Sequence, residues 1–161
     1  MDWPTIIDVE ASGFGRGSYP IEVGIARADG SVASRLICPE PSWQHWNEGA
    51  EAVHGISRAQ LQSEGGAVTD VADWLNSELK GLTVYSDSWG FDSSWLALLF
   101  HHADRIQRFR LDTLHRLLSE QQVLRWGQVK QQVVAELGLT RHRAADDAQM
   151  LQRTFQLTAS L

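Results

Sequence analysis

A chain of 161 residues with 43% hydrophobic and 21% charged side chains is long enough to bury roughly two-thirds of its unfolded surface in one core, which argues against disorder or a stapled miniprotein. Its single cysteine, Cys38, excludes an internal disulfide and a thiolate zinc cage, so any metal must be held by oxygen or imidazole. A net charge of −6 argues against gripping long duplex by bulk electrostatics, because phosphate neutralisation dominates that kind of affinity.

Met1-Asp2-Trp3 lacks the basic and then apolar order of a signal peptide, and no apolar run approaches the ~18 residues of a membrane span. A cytoplasmic protein with no membrane partner is expected. Thr5 to Glu10 reads as a strand and Glu22 to Ala28 as a second, with Asp29-Gly30 turning into a third around Val32 to Cys38. Residues 39–56, with Pro39 and Pro41 and no clear period, read as a long surface connection. Val68, Val71, Ala72, Leu75 and Leu79 recur at helical spacing, and Gly81 closes that helix before a short strand, Leu82 to Ser86.

The next helix is expected to start near Asp92, followed by a short strand at Phe109 to Asp112 and helical stretches near 113–120, 127–137 and 144–157. Gly138 stands where a helix end favours a left-handed residue. An antiparallel three-strand meander followed by alternating helix and strand predicts an α/β fold, a mixed sheet with helices packed on it. Residues 101–143 hold eight of the fourteen basic side chains against four acids, either a solvated helical face or a flank that attracts a polyanion.

Chemistry is concentrated in four acids. Asp8 and Glu10 alternate with apolar neighbours on one strand, so both project from the same face about 6.5–7 Å apart along it. Two like charges so close need a metal or an arginine between them, unless the strand end is simply solvated. Asp92, in Gly90-Phe91-Asp92-Ser93-Ser94-Trp95-Leu96, follows a strand and opens a helix, where an ordinary N-cap is the alternative. Asp147, in His142-Arg143-Ala144-Ala145-Asp146-Asp147-Ala148, falls in a first helical turn that favours acids through the helix dipole. Capping explains each of these alone, but it says nothing about the strand pair.

The order DVE, GFDSSWL and HRAADDAQML resembles the three exonuclease motifs of the DEDDh, or DnaQ-like, 3′→5′ exonucleases, whose fold is similar to ribonuclease H. The resemblance runs over essentially the whole chain, so residues 1–161 are expected to form a single exonuclease domain. Pro20-Ile21-Glu22-Val23-Gly24, His54-Gly55-Ile56-Ser57 and Leu111-Asp112-Thr113-Leu114 are secondary echoes of it. The resemblance implies that Asp8, Glu10, Asp92 and Asp147 are the acidic ligands of two divalent ions, Mg²⁺ or Mn²⁺, and that His142 activates water. Residue chemistry agrees: hard cations prefer carboxylates, and two of them together stabilise both oxygens of a phosphoryl displacement. Asp8 is the natural bridge between the ions, with Asp92 acting through bound water.

If residues 142–147 were all helical, five steps of about 100° would turn His142 about 140° away from Asp147. His142 therefore belongs on the loop before the helix, where an imidazole can swing toward a bound water and take its proton near neutral pH. With only Tyr19 and Tyr85 in the chain, the tyrosine variant of the family is disfavoured.

The resemblance further implies that Ala11, Ser12 and Gly13 meet the terminal nucleotide and that His54 and Ile56 line its base or sugar; a helix-entry turn with a buried Ile56 is the alternative. Ser88, where asparagine is common in the family, and Trp89, beside it, are substrate candidates too, Trp89 by stacking or else as core. Trp43 and Trp46 are a second aromatic pair for single-stranded nucleic acid. The expected activity is hydrolysis at the 3′ end of single-stranded DNA or RNA, releasing nucleoside 5′-monophosphates. The rival is a catalytically weak, nuclease-like module that binds nucleic-acid ends or a protein partner. A homodimer or a larger complex stays open.

Overall fold

The computed structural model describes residues 3–160. Strands β1 (Ile6–Ala11), β2 (Pro20–Ala26) and β3 (Val32–Leu36) form the expected meander, and β4 (Thr83–Ser86) and β5 (Arg110–Thr113) extend the same sheet. The order is β3-β2-β1-β4-β5, with β1–β2 and β2–β3 antiparallel and β1–β4 and β4–β5 parallel. Asp29 supports the first hairpin turn by accepting the Ser31 N–H at 2.9 Å, beside Gly30 at φ 89°.

Helices α3 (Val68–Leu79) and α4 (Trp89–Ala103) cover one face of the sheet, while α5 (Glu120–Leu137) and α6 (Ala144–Ala159) cover the other. Strand alternation sorts β1 between them: Ile7, Val9 and Ala11 join the core under α3 and α4, and Ile6 joins the core under α5 and α6. Asp8 and Glu10 share the face of Ile6. They therefore look toward α6.

Several elements differ from the sequence-based expectation. The stretch 39–56 is not an irregular surface connection, since it contains α1 (Glu48–His54), capped by the Asn47 side chain, and buries Trp43, His54 and Ile56. Helix α2 (Arg58–Glu64) was not expected; its N-cap is Ser57 and only Leu61 is buried, so it lacks the apolar stripe that betrays a helix. Helix α5 begins seven residues before its apolar stripe suggests, at a capping box formed by Ser119 and Gln122. The stretch before it is a 3₁₀ turn, Leu114–Leu117. Helix α4 starts at Trp89, so Asp92 lies in its first turn and does not cap it. No helix among the described residues is long and apolar enough to cross a membrane.

Candidate metal and nucleic-acid site

Directly opposite residues of an antiparallel pair project from one face, and β2 sets Gly24 against Asp8 and Glu22 against Glu10. The gap above Gly24 seats the start of α6: a Cβ there would lie 2.3 Å from the Ala144 carbonyl carbon and 2.4 Å from the Ala145 nitrogen. Buried Glu22 completes the seat, accepting the Ala144 N–H at 2.9 Å and the Arg143 guanidinium at 3.1 and 2.8 Å. It thus supplies the N-cap that Arg143's own side chain does not.

Seated in this way, α6 carries Asp147 onto the strand pair. Ligand oxygens of Asp8, Glu10 and Asp147 all lie within 4.8 Å of one another. The Asp147 carboxylate also gathers the preceding loop, accepting the His142 N–H at 3.1 Å and Arg141 Nε at 3.1 Å. His142 stands on that loop at φ 66°, exposed, as the turn argument requires.

From the other side, the first turn of α4 brings in Asp92, 1% exposed, whose Oδ2 accepts the Ser86 hydroxyl. Asp92, Asp8 and Asp87 form a second set of oxygens within 4.8 Å. Asp8 belongs to both sets. Its Oδ2 is buried and has no hydrogen-bond partner, a cost of several kcal/mol for a charged oxygen unless a cation completes it. An all-oxygen donor set with such an orphan suits a hard divalent ion.

The electrostatics carry the same strain. Burial, with the charges of Glu10, Asp92, Asp147 and Asp87 added, pushes the Asp8 carboxyl well above its usual range. Burial and the neighbouring Asp147 lift Glu10 from the usual 4.5 to about 8. Burial lifts Asp92 to about 7, against the opposing Ser86 hydrogen bond.

A cleft of about 360 Å³ opens over these acids, with Asp8, Glu10, Asp92 and His142 among its lining residues. Ala11, Gly13, Ser88 and His54 also line it. Gly13 is required for packing as well, since a Cβ would meet Asn47 Cβ at 2.7 Å. His54 accepts the Ile56 N–H on Nδ1 at 3.0 Å, which leaves the proton on Nε2, and burial holds its pKa below the usual value.

Among solved structures the chain superposes on exonuclease I with a TM-score of 0.73, covering 99% of this chain and 41% of that one at 13% identity. The match to E. coli exonuclease I in complex with a 5cy-dA13 oligonucleotide has a TM-score of 0.66, covering 96% and 40% of the two chains at 12% identity. For the zinc-bound form of the E. coli exonuclease I–single-stranded DNA complex the TM-score is 0.59, covering 82% and 31% at 14% identity. The chain carries the ribonuclease H-like fold of exonuclease I. It spans about two-fifths of the length of the first two of these structures. No protein-family model matches it, and no curated protein matches its sequence.

Within this exonuclease I fold, five residues expected at the substrate stand elsewhere. Ser12 is fully buried behind the cleft wall, bonded to His45 Nδ1 at 2.8 Å and to the Tyr19 N–H at 3.1 Å. Ile56 is fully buried in the core, as the helix-entry alternative has it. Trp89 is half exposed, but its indole N–H donates to the Leu111 carbonyl at 3.2 Å and it does not line the cleft. Trp43 stacks on Tyr19 at 5.2 Å inside the core, and Trp46 donates to Glu51 at 2.8 Å.

The aromatic rings at the cleft are different ones. Phe14, 71% exposed, meets Phe91 edge to face at 5.1 Å, and Phe91 stacks at 5.5 Å on Trp95. Trp95 is held in turn by the Ser18 hydroxyl at 3.1 Å. Phe14 follows the first motif directly and Phe91 precedes Asp92, so adjacency to the motifs was the available signal. Asp87 and the capping Glu22 were the other residues the sequence reading left without a role.

The raised carboxyls fix the sign of a pH effect. Because Asp92 and Glu10 hold protons more tightly folded than unfolded, their contribution to stability is complete below about pH 4 and is lost as pH rises through about 7 and then 8. Melting temperature in chelator is therefore expected to fall between pH 5 and pH 9. Added Mn²⁺ should restore more of it at pH 8 than at pH 5. Calorimetric melts with and without Mn²⁺ test this, and a melting temperature that climbs with pH in chelator contradicts it.

Proposed function

We propose that the chain is a two-metal 3′→5′ exonuclease that trims single-stranded DNA or RNA ends to nucleoside 5′-monophosphates. The observation that carries the reading is convergence: acids from β1, α4 and α6 meet at Asp8, beneath a cleft rimmed by His142. Asp8, Glu10, Asp92 and Asp147 would hold two divalent cations, Mg²⁺ or Mn²⁺, which when bound stabilise the attacking and leaving oxygens of an in-line displacement. The exonuclease I fold supports the same reading.

The protein's own groups do the rest. His142, on a loop pinned through its N–H to Asp147, takes the proton of the attacking water. Phe14 and Phe91 give single-stranded bases faces to stack on, worth ~1–3 kcal/mol per base. Duplex keeps its base faces covered, so the terminal nucleotide must be unpaired to use them. The P–O3′ bond breaks as the water oxygen bonds to phosphorus, and the departing 3′ oxygen takes a proton from solvent to become the 3′-hydroxyl of the shortened strand. His142 returns its proton to solvent, and the product is a 5′-monophosphate.

An end-labelled oligonucleotide with Mn²⁺ gives the test. His142→Ala should lower the single-turnover rate by ~10²–10⁴-fold, the usual value of a positioned general base, while Mn²⁺ binding stays intact. Equal rates for the variant and the parent would reject the role of His142. Matched deoxy and ribo oligomers in the same assay decide the sugar preference.

A further inference from the structure

We propose that Asp87 is a fifth acidic ligand of this site, forming with Asp8 and Asp92 a cation subsite distinct from the one built by Asp8, Glu10 and Asp147. The inference rests on the metal-dependent reading above and deepens it. Asp87 directly follows β4 and stands two positions before α4, so the turn that leads to Asp92 presents it as well. Oxygens of Asp87, Asp8 and Asp92 all lie within 4.8 Å of one another.

Two further features point to a ligand there. Asp8 is 9% exposed and its Oδ2 has no partner. Asp87 makes no salt bridge among the described residues, although Lys130 on α5 and His115 on the 3₁₀ turn exert their charge on it from nearby. Capping does not account for Asp87, since Ser88 is the N-cap of α4 and the Ser88 N–H is taken by Ser86 Oγ at 3.0 Å. Three carboxylates brought together with no counter-ion among them repel one another. A divalent cation reverses the sign of that interaction, and oxygen donors match its preference.

The assignment predicts that cation binding at the second subsite depends on Asp87 while the first does not. Mn²⁺ is titrated into the full chain at pH 7.5, with free Mn²⁺ followed by electron paramagnetic resonance, for the parent, Asp87→Asn and Asp8→Asn. The parent should bind two ions. Asp87→Asn should keep one and weaken the other at least ~10-fold, the loss that even an outer partner's removal brings; Asp8→Asn should weaken both. Asp87 is exposed, so its amide variant should fold, and matching near-ultraviolet circular dichroism checks that. An Asp87→Asn isotherm that overlays the parent's two-site curve, or one in which both ions weaken equally, overturns the assignment and leaves the nuclease reading standing. A parent that binds no Mn²⁺ overturns both.

Discussion

Asp8→Asn should abolish hydrolysis while making the metal-free protein more heat-stable. Asp8 belongs to both sets of clustered oxygens, so the amide weakens both cation subsites together. Divalent ions at such a site supply several kcal/mol of charge stabilisation, and each 1.36 kcal/mol is tenfold in rate, so a loss of about 10³-fold or more is expected. Stability moves the opposite way. The native carboxyl is buried, repelled by Glu10, Asp92, Asp147 and Asp87, and unpartnered at Oδ2. An amide of the same shape removes that repulsion without opening a cavity.

Two assays in one sample separate this from simple unfolding: mononucleotide release with Mn²⁺, and a melt in chelator at pH 8. A dead but stabilised variant is the expected pair of results. A variant that is active refutes the placement of Asp8 at the reacting phosphate, and one that is dead and less stable assigns Asp8 a structural role instead.

Gly24→Ala should damage fold and site together. Its added Cβ would meet backbone atoms of Ala144 and Ala145 at 2.3–2.5 Å, and backbone cannot rotate out of the way as a side chain can. Overpacking of this kind costs ~1–3 kcal/mol and occasionally more, roughly 2–4 °C of melting temperature per kcal/mol for a domain of this size. The first turn of α6 must lift from β2, carrying Asp147 away from Asp8, so Mn²⁺ affinity should fall as well. Gly127 is the control. It lies exposed inside α5 with nothing within 4 Å of its would-be Cβ, and Gly127→Ala should be stabilising by about 0.5–1 kcal/mol. Urea unfolding of both variants gives the comparison; a harmless Gly24→Ala would mean that α6 does not depend on the gap above β2.

The lip of the cleft shows how local sequence can mislead about contact. Trp89 sits three residues before Asp92 and carries a large stacking surface, which makes it a candidate from sequence. Two further residues along the helix rotate a side chain by about 200°, and the chain uses that rotation to put Phe91, not Trp89, at the cleft. Ser12 is a similar case. Its neighbours Ala11 and Gly13 line the cleft, yet its hydroxyl turns inward to Tyr19 and His45.

Features that depend on near neighbours along the chain could be read from the residues alone. Alternation put Asp8 and Glu10 on one strand face, apolar spacing placed Val68–Leu79 as a helix, Asp29-Gly30 set the first hairpin, and helical rotation forced His142 onto a loop. The mixed sheet followed from the order of those elements. Which distant groups share space came from the packed fold: Glu22 capping α6 across 122 positions of chain, Gly24 giving that helix its seat, Asp87 standing beside Asp8, and Phe14 against Phe91. Periodicity fixes the direction in which a side chain leaves its own element, whereas the partner it meets depends on the packing of whole elements against one another, for which one chain's local pattern holds no signal.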